Sequence, residues 1–247
     1  MDALYAYAVV PGDAALPGDV AAILPGAGFG LVRAGGCAAL VSPVARAPFE
    51  AGPGTRAHDP AWVAERAAAH HAVVAALPGP VLPLAFGALF SGQEPLAAWL
   101  AGRAEALRAA LTQVEGCAEC TAKLEEDPAR HAAWLDAHDE NLRELARRAR
   151  DASAGTAFLL ARTREKRMAE ARAARAAMMA RDVAARLGRH AHVMPEPLTA
   201  LVRRADMPAL MAELAETARD LAESGIALRL VGPWPPYAYA RAALSHA

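Results

Sequence analysis

The stretch Val231-Gly232-Pro233-Trp234-Pro235-Pro236-Tyr237-Ala238-Tyr239 decides how the chain is read. It follows an apolar run, Ile226 to Val231, that predicts a buried strand. Its three prolines carry no backbone N–H, so the strand is expected to end at Val231 and the chain to leave its sheet. Pro235-Pro236 favours a stiff, polyproline-like course, because proline fixes φ and pushes the preceding residue away from the helical region. Trp234, Tyr237 and Tyr239 are then held at set spacings on a segment that loses little entropy when ordered. Such a segment is either a clasp over the protein's own core or a docking edge for a partner, and large aromatics more often serve their own fold.

Working outward, 247 residues suffice for one large domain or two small ones. A hydrophobic fraction of 55% excludes a disordered chain, and an aromatic fraction of 5% means a core built mainly from Ala, Leu and Val. The net charge of -1 gives no general attraction to nucleic acid, and no apolar run approaches the ~20 residues of a membrane span. Met1-Asp2-Ala3-Leu4 lacks the basic start and apolar stretch of a signal peptide, so a cytoplasmic location is expected. The three cysteines argue against a disulfide framework. Cys117 and Cys120 form a C-x-x-C without the second pair a zinc site needs, and are read as reduced thiols on or beside a strand.

The first half alternates strand and helix signals. Leu4 to Val10 reads as a central strand, with Tyr5, Tyr7 and Val9 on one face and Leu4, Ala6, Ala8 and Val10 on the other. Gly30 to Ala34 and Cys37 to Ser42 predict a hairpin turning at Gly35-Gly36. Gly26-Ala27-Gly28-Phe29-Gly30 lacks the G-x-G-x-x-G spacing and is read as loop, as is Val44 to His58. Asp59-Pro60 opens a helix with Val63, Ala67, His70, Val74 and Leu77 on its inner face, leaving His71 pointing elsewhere. Pro80 to Phe90 reads as a strand interrupted by Pro83, and Ser91-Gly92-Gln93-Glu94 has capping-box spacing before a helix with Leu96, Leu100, Leu107, Leu111 and Val114 inward.

A second unit is expected to begin near Glu115. Glu119 to Leu124 predicts a strand whose Glu119/Lys123 pair faces solvent. From Pro128 to Leu187 the pattern is helical with Gly155 the clearest break, and Met168, Met179, Val183 and Leu187 share one side. The basic stretch Arg143 to Arg189 predicts intrahelical pairs such as Glu170 with Arg167 or Arg175. With no aromatic after Phe158 in that stretch, a protein-partner surface or plain solvation suits it better than nucleic acid. His190 and His192 flank Ala191 on a predicted turn without an evident carboxylate or third ligand. A strand over Leu198 to Arg203, a helix from Asp206 to Glu223 and the strand at Ile226 complete the chain. Strand, helices, strand, helix, strand suggests a ferredoxin-like α+β sandwich with a helical insertion. No G-x-S-x-G, H-E-x-x-H or Walker loop is present, so no catalytic residue, cofactor site or metal site is assigned.

Several of these segments carry a family resemblance. Gly232-Pro233-Trp234-Pro235-Pro236-Tyr237 after a strand resembles the C-terminal signature of the gas vesicle protein F/L family (GvpF/GvpL). Val81 to Phe90 resembles that family's V-L-P-L-R-F-G-T-V-F, with Ala85 in place of the usual arginine, and His70 matches by spacing a histidine in the preceding helix. Glu119 to Leu124 resembles E-W-x-x-K, with Cys120 in place of tryptophan, and Ser153 to Leu160 resembles S-x-G-x-x-Y/F-L-L.

The resemblance implies a two-domain α+β fold: an N-terminal α+β domain over 1–114, and a ferredoxin-like domain with inserted helices and a Pro/aromatic tail over 115–247. It also implies a non-enzymatic minor structural or assembly component of gas vesicles that binds the hydrophobic shell-forming subunit (GvpA type), and other accessory gas vesicle proteins, during nucleation or assembly. His70, Pro83, Phe86, Gly87, Gly232, Pro233, Trp234, Pro235, Pro236, Tyr237 and Tyr239 are then the family-signature or partner-binding candidates. Shell subunits that exclude water need a large apolar face, and such faces aggregate unless covered. An arginine-studded helix and a stiff aromatic tail suit that task. The alternative is a ferredoxin-like ligand-binding or enzymatic domain whose site the sequence does not display.

Overall fold

The computed structural model describes residues 3–50, 56–194 and 198–245. Among them the elements run β1 (Ala3–Pro11), β2 (Gly30–Ala34), β3 (Cys37–Val44), α1 (Pro60–Ala76), β4 (Leu82–Pro83), β5 (Leu89–Phe90), α2 (Gln93–Gly102), α3 (Ala104–Val114) and β6 (Cys117–Glu126). Then follow α4 (Pro128–His138), α5 (Glu140–Arg150), α6 (Ala154–Leu187), β7 (Ala191–Met194), β8 (Thr199–Arg203), α7 (Met207–Glu223), β9 (Ile226–Trp234) and α8 (Tyr237–Ser245). The fold is mixed α/β with two sheets. It divides into two compact units, Met1–Glu119 with Pro233–Ala247, and Cys120–Gly232.

In the first unit the strand order is β2-β3-β1-β4, with β5 also paired to β1. β1 sits centrally and is buried along nearly its whole length, as its two-faced apolar run predicts. Its faces are not the ones simple alternation gives. Ala6 pairs with Val41 and Ala8 with Leu40, so Tyr7 is an extra residue in a β-bulge. One inserted residue flips the alternation, and Ala8 and Val10 join Tyr5 and Tyr7 in one core cluster. The β2–β3 hairpin turns at Gly35-Gly36 as expected, with φ of 59° and 78°. Two successive positive φ values suit glycine, and a Cβ on Gly35 would lie 2.5 Å from that of Ala104.

Asp59 caps α1 by accepting from the Ala61 amide at 3.0 Å, and Pro60 opens the helix. The inner face is turned by one residue from the expected one: Trp62, Arg66, His70, Val73 and Val74 are buried, and Val63 is not. Arg66 is tolerated inside because its guanidinium donates to the Ile23 carbonyl at 2.7 Å. The loop expected over Val44–His58 holds short 3-10 turns at Ala47–Phe49 and Arg56–His58, while 51–55 lie outside the described residues. The strand expected over Pro80–Phe90 is two short pieces separated by a turn at Gly87 (φ 87°). The helix expected after it breaks at Arg103, yet Leu96, Leu100, Leu107, Leu111 and Val114 are all buried. Gly92, not Ser91, is its N-cap, and no side chain caps it.

In the second unit the order along the chain is strand, three helices, two strands, helix, strand, and the sheet order is β7-β8-β6-β9. Ala122, Val183, Leu187, Ala200, Val202, Leu210 and Leu214 form its main core. Of the histidine pair expected on a turn, His190 lies on the turn, while His192 falls within β7, which pairs antiparallel with Thr199–Arg203. The helical tract breaks at Asp139, which caps α5, and again at 151–153; Gly155 lies inside the first turn of α6. β9 runs through Gly232 and Pro233 to Trp234, past the expected end at Val231. It is the outermost strand, where a missing N–H leaves no ladder partner unsatisfied. Among the described residues no helix is long and apolar enough to cross a membrane.

Candidate functional site

The tail is helical where the sequence suggested an extended path. After Pro235-Pro236 the chain enters α8 at Tyr237. Glu119 receives it: its Oε2 accepts from the amides of Ala238 at 2.8 Å and Tyr239 at 3.1 Å. A helix start leaves four amides without partners and carries partial positive charge, and a carboxylate answers both. Glu119 was expected to face water beside Lys123, but it is buried, at 6% exposure, whereas Lys123 is exposed. Burial pushes its carboxyl pKa up, and the two amides and Arg241 draw it back. Sequence reading missed this residue because its partners lie far along the chain.

Around Tyr237 the signature residues converge on α1. His70 Nδ1 is 2.8 Å from the Tyr5 hydroxyl, and the same hydroxyl accepts from the Gly87 amide at 3.3 Å. Rings surround the imidazole: Tyr7 stacks at 5.7 Å between centroids, Tyr5 meets it edge-on at 5.7 Å, Phe86 at 6.2 Å and Tyr237 at 6.1 Å. Desolvation pushes His70 down to about 4, so it is neutral at pH 7. It also drives Tyr5 well above its ordinary value and Tyr237 up to about 12. The Tyr237 hydroxyl is buried and finds no hydrogen-bond partner among the described residues.

A second layer lies outside this one. His71 meets Trp234 edge-on at 5.2 Å and stacks on Tyr237 at 5.9 Å. Trp234 stays 42% exposed. Pro83 pairs with Ala8 on an edge strand, where its missing N–H is tolerated. The structure therefore brings His70, Pro83, Phe86, Gly87, Trp234 and Tyr237 into one region of the first unit. Tyr239 instead turns toward α3, its hydroxyl donating to Gln113 Oε1.

Intrahelical pairs form in the arginine-rich helices as expected, at Glu144–Arg147, Lys166–Glu170 and Asp182–Arg186. The particular pairs of Glu170 with Arg167 or Arg175 do not, and those arginines make contacts between elements. Arg164 reaches Asp136 at 2.5 Å, Arg167 reaches Asp139 at 2.8 Å, and Arg172 reaches Glu126 at 2.7 Å. Arg175 lies 3.8 Å over the Trp134 ring. These side chains fasten α6 to α4, α5 and β6. At the other end of α6, Phe158 and Leu159 are each 65% exposed.

Titratable side chains give little reactive chemistry. His190, read as lacking a carboxylate, has Glu213 2.7 Å from its Nε2, and Arg189 holds the other oxygen at 2.6 Å. His131 is buried with Nδ1 2.8 Å from Glu126. In each, an arginine ion pair, Arg189–Glu213 or Arg172–Glu126, shares its carboxylate with the histidine and joins neighbouring elements. Among the described residues no cluster of His, Cys, Asp and Glu is arranged to hold a metal.

Fold and site together define a mixed α/β protein with two antiparallel sheets whose aromatic signature is packed largely on its own core. The chain belongs to the family described as Gas vesicle synthesis protein GvpL/GvpF, whose model matches residues 3–241. It is 33% identical over 183 residues to Gas vesicle protein L2 of Halobacterium salinarum, covering 66% of this chain and 64% of that one. To Gas vesicle protein L of Haloferax mediterranei it is 26% identical, covering 66% of this chain and 56% of that relative. The match thus spans less than two thirds of the length of both. With Gas vesicle protein L of a Streptomyces species it shares 31% identity over 251 residues, 96% of this chain and 92% of the relative. The crystal structure of GvpF from Microcystis aeruginosa aligns with a TM-score of 0.63 at 15% identity, over 97% of this chain and 99% of that one. GvpF from Anabaena gives the same TM-score at 16% identity. At such identities the likeness is one of fold.

Proposed function

We propose that this protein is an assembly component of gas vesicles that binds the hydrophobic shell-forming subunit and covers its apolar face before the subunit enters the shell. The observation that carries the reading, within this family, is an apolar surface left open beside arginines: Phe158 and Leu159 are 65% exposed on an arginine-rich helix. Surfaces of that composition are used for protein partners. Its partners are then the shell subunit and other gas vesicle proteins, and it works on or beside the vesicle without making or breaking bonds.

The expected division is 1–114 and 115–247; we further propose that the tail from Pro233 goes with the first domain and that 115–232 folds as a second, ferredoxin-like one. Strand order β7-β8-β6-β9 with β-α-β-β-α-β connectivity, the three consecutive helices counted as one, supports that description. His70, Pro83, Phe86, Gly87 and Tyr237 then serve as a clasp that fixes the tail, with Gly232, Pro233, Pro235 and Pro236 setting its path. Trp234, 42% exposed, and Phe86, 37% exposed, are the signature aromatics among the described residues that keep substantial surface.

The test is capture of the shell subunit by the tagged full chain in a vesicle-forming host, with vesicle yield followed in a deletion strain complemented by the same chain. Retention of the shell subunit and restored vesicles support the reading. No capture together with full vesicle yield in the uncomplemented deletion strain overturns it. Trp234→Ala separates surfaces: lost capture with an unchanged circular dichroism spectrum moves the contact to the tail.

A further inference from the structure

We infer that the turn end of the α5–α6 hairpin docks an amphipathic helix, apolar along one stripe and flanked by carboxylates, presented by another gas vesicle component. The inference rests on the assembly reading above and names the surface and the chemistry it recognises. Over the middle and C-terminal part of α6 the apolar residues Ala171, Met179, Val183 and Leu187 are buried. There Arg164, Arg167, Arg172 and Arg186 each hold a carboxylate.

Toward the N-terminal end both kinds of pairing are missing together, whereas farther along α6 Met178 is exposed, at 55%, and Arg181 bonds the Ala177 carbonyl. Phe158 and Leu159 turn outward, and among the described residues Arg143, Arg148, Arg150 and Arg162 have no ion pair, all four being exposed. The short turn at 151–153 sets the last turn of α5, with Arg147, Arg148 and Arg150, against the first turns of α6, with Phe158, Leu159 and Arg162, while Arg143 lies nearer the start of α5. From Arg143 to Arg162 five arginines face two acids, Glu144 and Asp151, in a chain whose overall charge is -1. Glu144 is already held by Arg147 at 2.7 Å. An open depression of about 940 Å³ runs beside α5, lined by Arg143, Arg147, Arg150 and Arg164 together with Asp136, Glu140 and Glu144; Phe158 and Leu159 lie outside it.

An excess of unpaired guanidinium groups beside open apolar area is the complement of an acidic-flanked apolar stripe. Guanidinium pairs carboxylate with two parallel hydrogen bonds, and burial of the stripe supplies the non-directional part. A second copy of this end would set arginine against arginine, which disfavours self-docking.

Two synthetic amphipathic peptides of about 18 residues test this, each with leucines at i, i+3, i+4 and i+7, one flanked by glutamates and one by lysines. Fluorescence anisotropy with the full chain should show the glutamate peptide binding at least about tenfold tighter, falling as salt rises. Phe158→Asp with Leu159→Asp should lose about tenfold, and the milder serine pair should lose less in the same direction. Reversing Arg143, Arg148, Arg150 and Arg162 to Glu should invert the preference, with circular dichroism reporting the helix content. Equal binding of both peptides, or undiminished binding by the aspartate pair with helix content retained, overturns the inference. So does a sedimenting dimer that the aspartate pair abolishes, because the occupant is then a second copy. If the peptides fail while the chain still captures the shell subunit, the surface is wrong and the assembly reading stands. If the peptides behave as expected while no gas vesicle component is captured, the surface survives, but the assembly reading and the identity given to its occupant fall.

Discussion

The region around His70 and the turn end of the α5–α6 hairpin use similar residues to opposite ends. In the first, rings and polar side chains close on one another: Tyr5, Tyr7, Phe86 and Tyr237 enclose His70, and Glu119 takes up two amides of the incoming helix. In the second, Phe158 and Leu159 face water near exposed arginines, of which Arg148, Arg150 and Arg162 have no ion pair among the described residues while Arg147 holds Glu144. Both contain segments that resemble family motifs. The difference teaches that a signature motif can be spent on fold or on surface, and that burial separates the two uses. Substitutions should therefore act on stability in the first region and on association in the second.

The largest expected effect breaks the enclosed side. Tyr5 is fully buried, contacts three other rings and His70, and hydrogen-bonds His70. Tyr5→Ala removes that ring from a packed core and should cost about 3–5 kcal/mol, the range for large aromatic truncations. Urea unfolding followed by tryptophan fluorescence measures it, since Trp62, Trp99 and Trp234 lie in the first unit. A loss under about 1 kcal/mol would mean the site is far looser than its geometry.

Acid sharpens the same contrast. The unfolded His70 imidazole takes a proton below about 6.5, while the folded one resists until about 4. Its folded pKa is depressed, so the unfolded state binds the extra proton and stability falls as pH drops from about 6.5 towards 4. The loss approaches roughly 3 kcal/mol at the lower end. Glu126 and Asp139 in the second unit also have lowered pKa values, set against desolvation by hydrogen bonds from His131 and Arg172 and from the Leu142 amide and Arg167. For carboxylates, stability is present above the unfolded pKa and lost below it, so the second unit should weaken at lower pH than the first. Unfolding curves of wild type and His70→Gln between pH 7 and 4 are the measurement. Their difference should shrink across that window, and a constant difference would remove the desolvated-histidine account.

How much of this was legible in the residues depends on how far apart the partners sit. The β2–β3 hairpin, the Asp59-Pro60 helix start and the five inward side chains from Leu96 to Val114 rest on neighbours in sequence, and they stand as read. The bulge at Tyr7 is one inserted residue with no compositional mark, and it exchanges the faces of Val9 and Val10 relative to the tyrosines. Glu119 was read as solvated because its strand alternates, yet its partners are the amides of Ala238 and Tyr239. Helical spacing accounts for Asp182–Arg186 in α6, but Arg164 and Arg167 reach other elements because the helix packs against α4 and α5. Pro233 was taken to end β9, an inference valid for an interior strand and not for an outermost one. His70 facing inward was visible from periodicity, but the rings that enclose it come from distant parts of the chain.

A smaller effect is expected at the tail's anchor. Glu119→Ala leaves two amides at the start of α8 without their acceptor and should cost about 1–2 kcal/mol. Glu119→Gln keeps an oxygen in the same place and removes a buried charge, so it should lie within about 0.5 kcal/mol of wild type. Thermal unfolding together with proteolysis of the C-terminal helix distinguishes the two. Equal losses for both variants would mean that the charge holds α8, through its field at the helix start, more than the hydrogen bonds do.

The smallest expected effect on stability lies at the open end of α6. Phe158→Ser and Leu159→Ser remove apolar side chains that are already mostly in water, so each should change unfolding free energy by no more than about 0.5 kcal/mol. Ser is a slightly weaker helix former than Leu, which accounts for a small loss by itself. The comparison turns on this near-silence. If either serine variant destabilises the chain by more than about 2 kcal/mol, the residue is covered in the free protein by contacts like those at Tyr5, and the two regions are alike. Unchanged unfolding with weakened capture of a gas vesicle partner is the pattern that only an open surface produces.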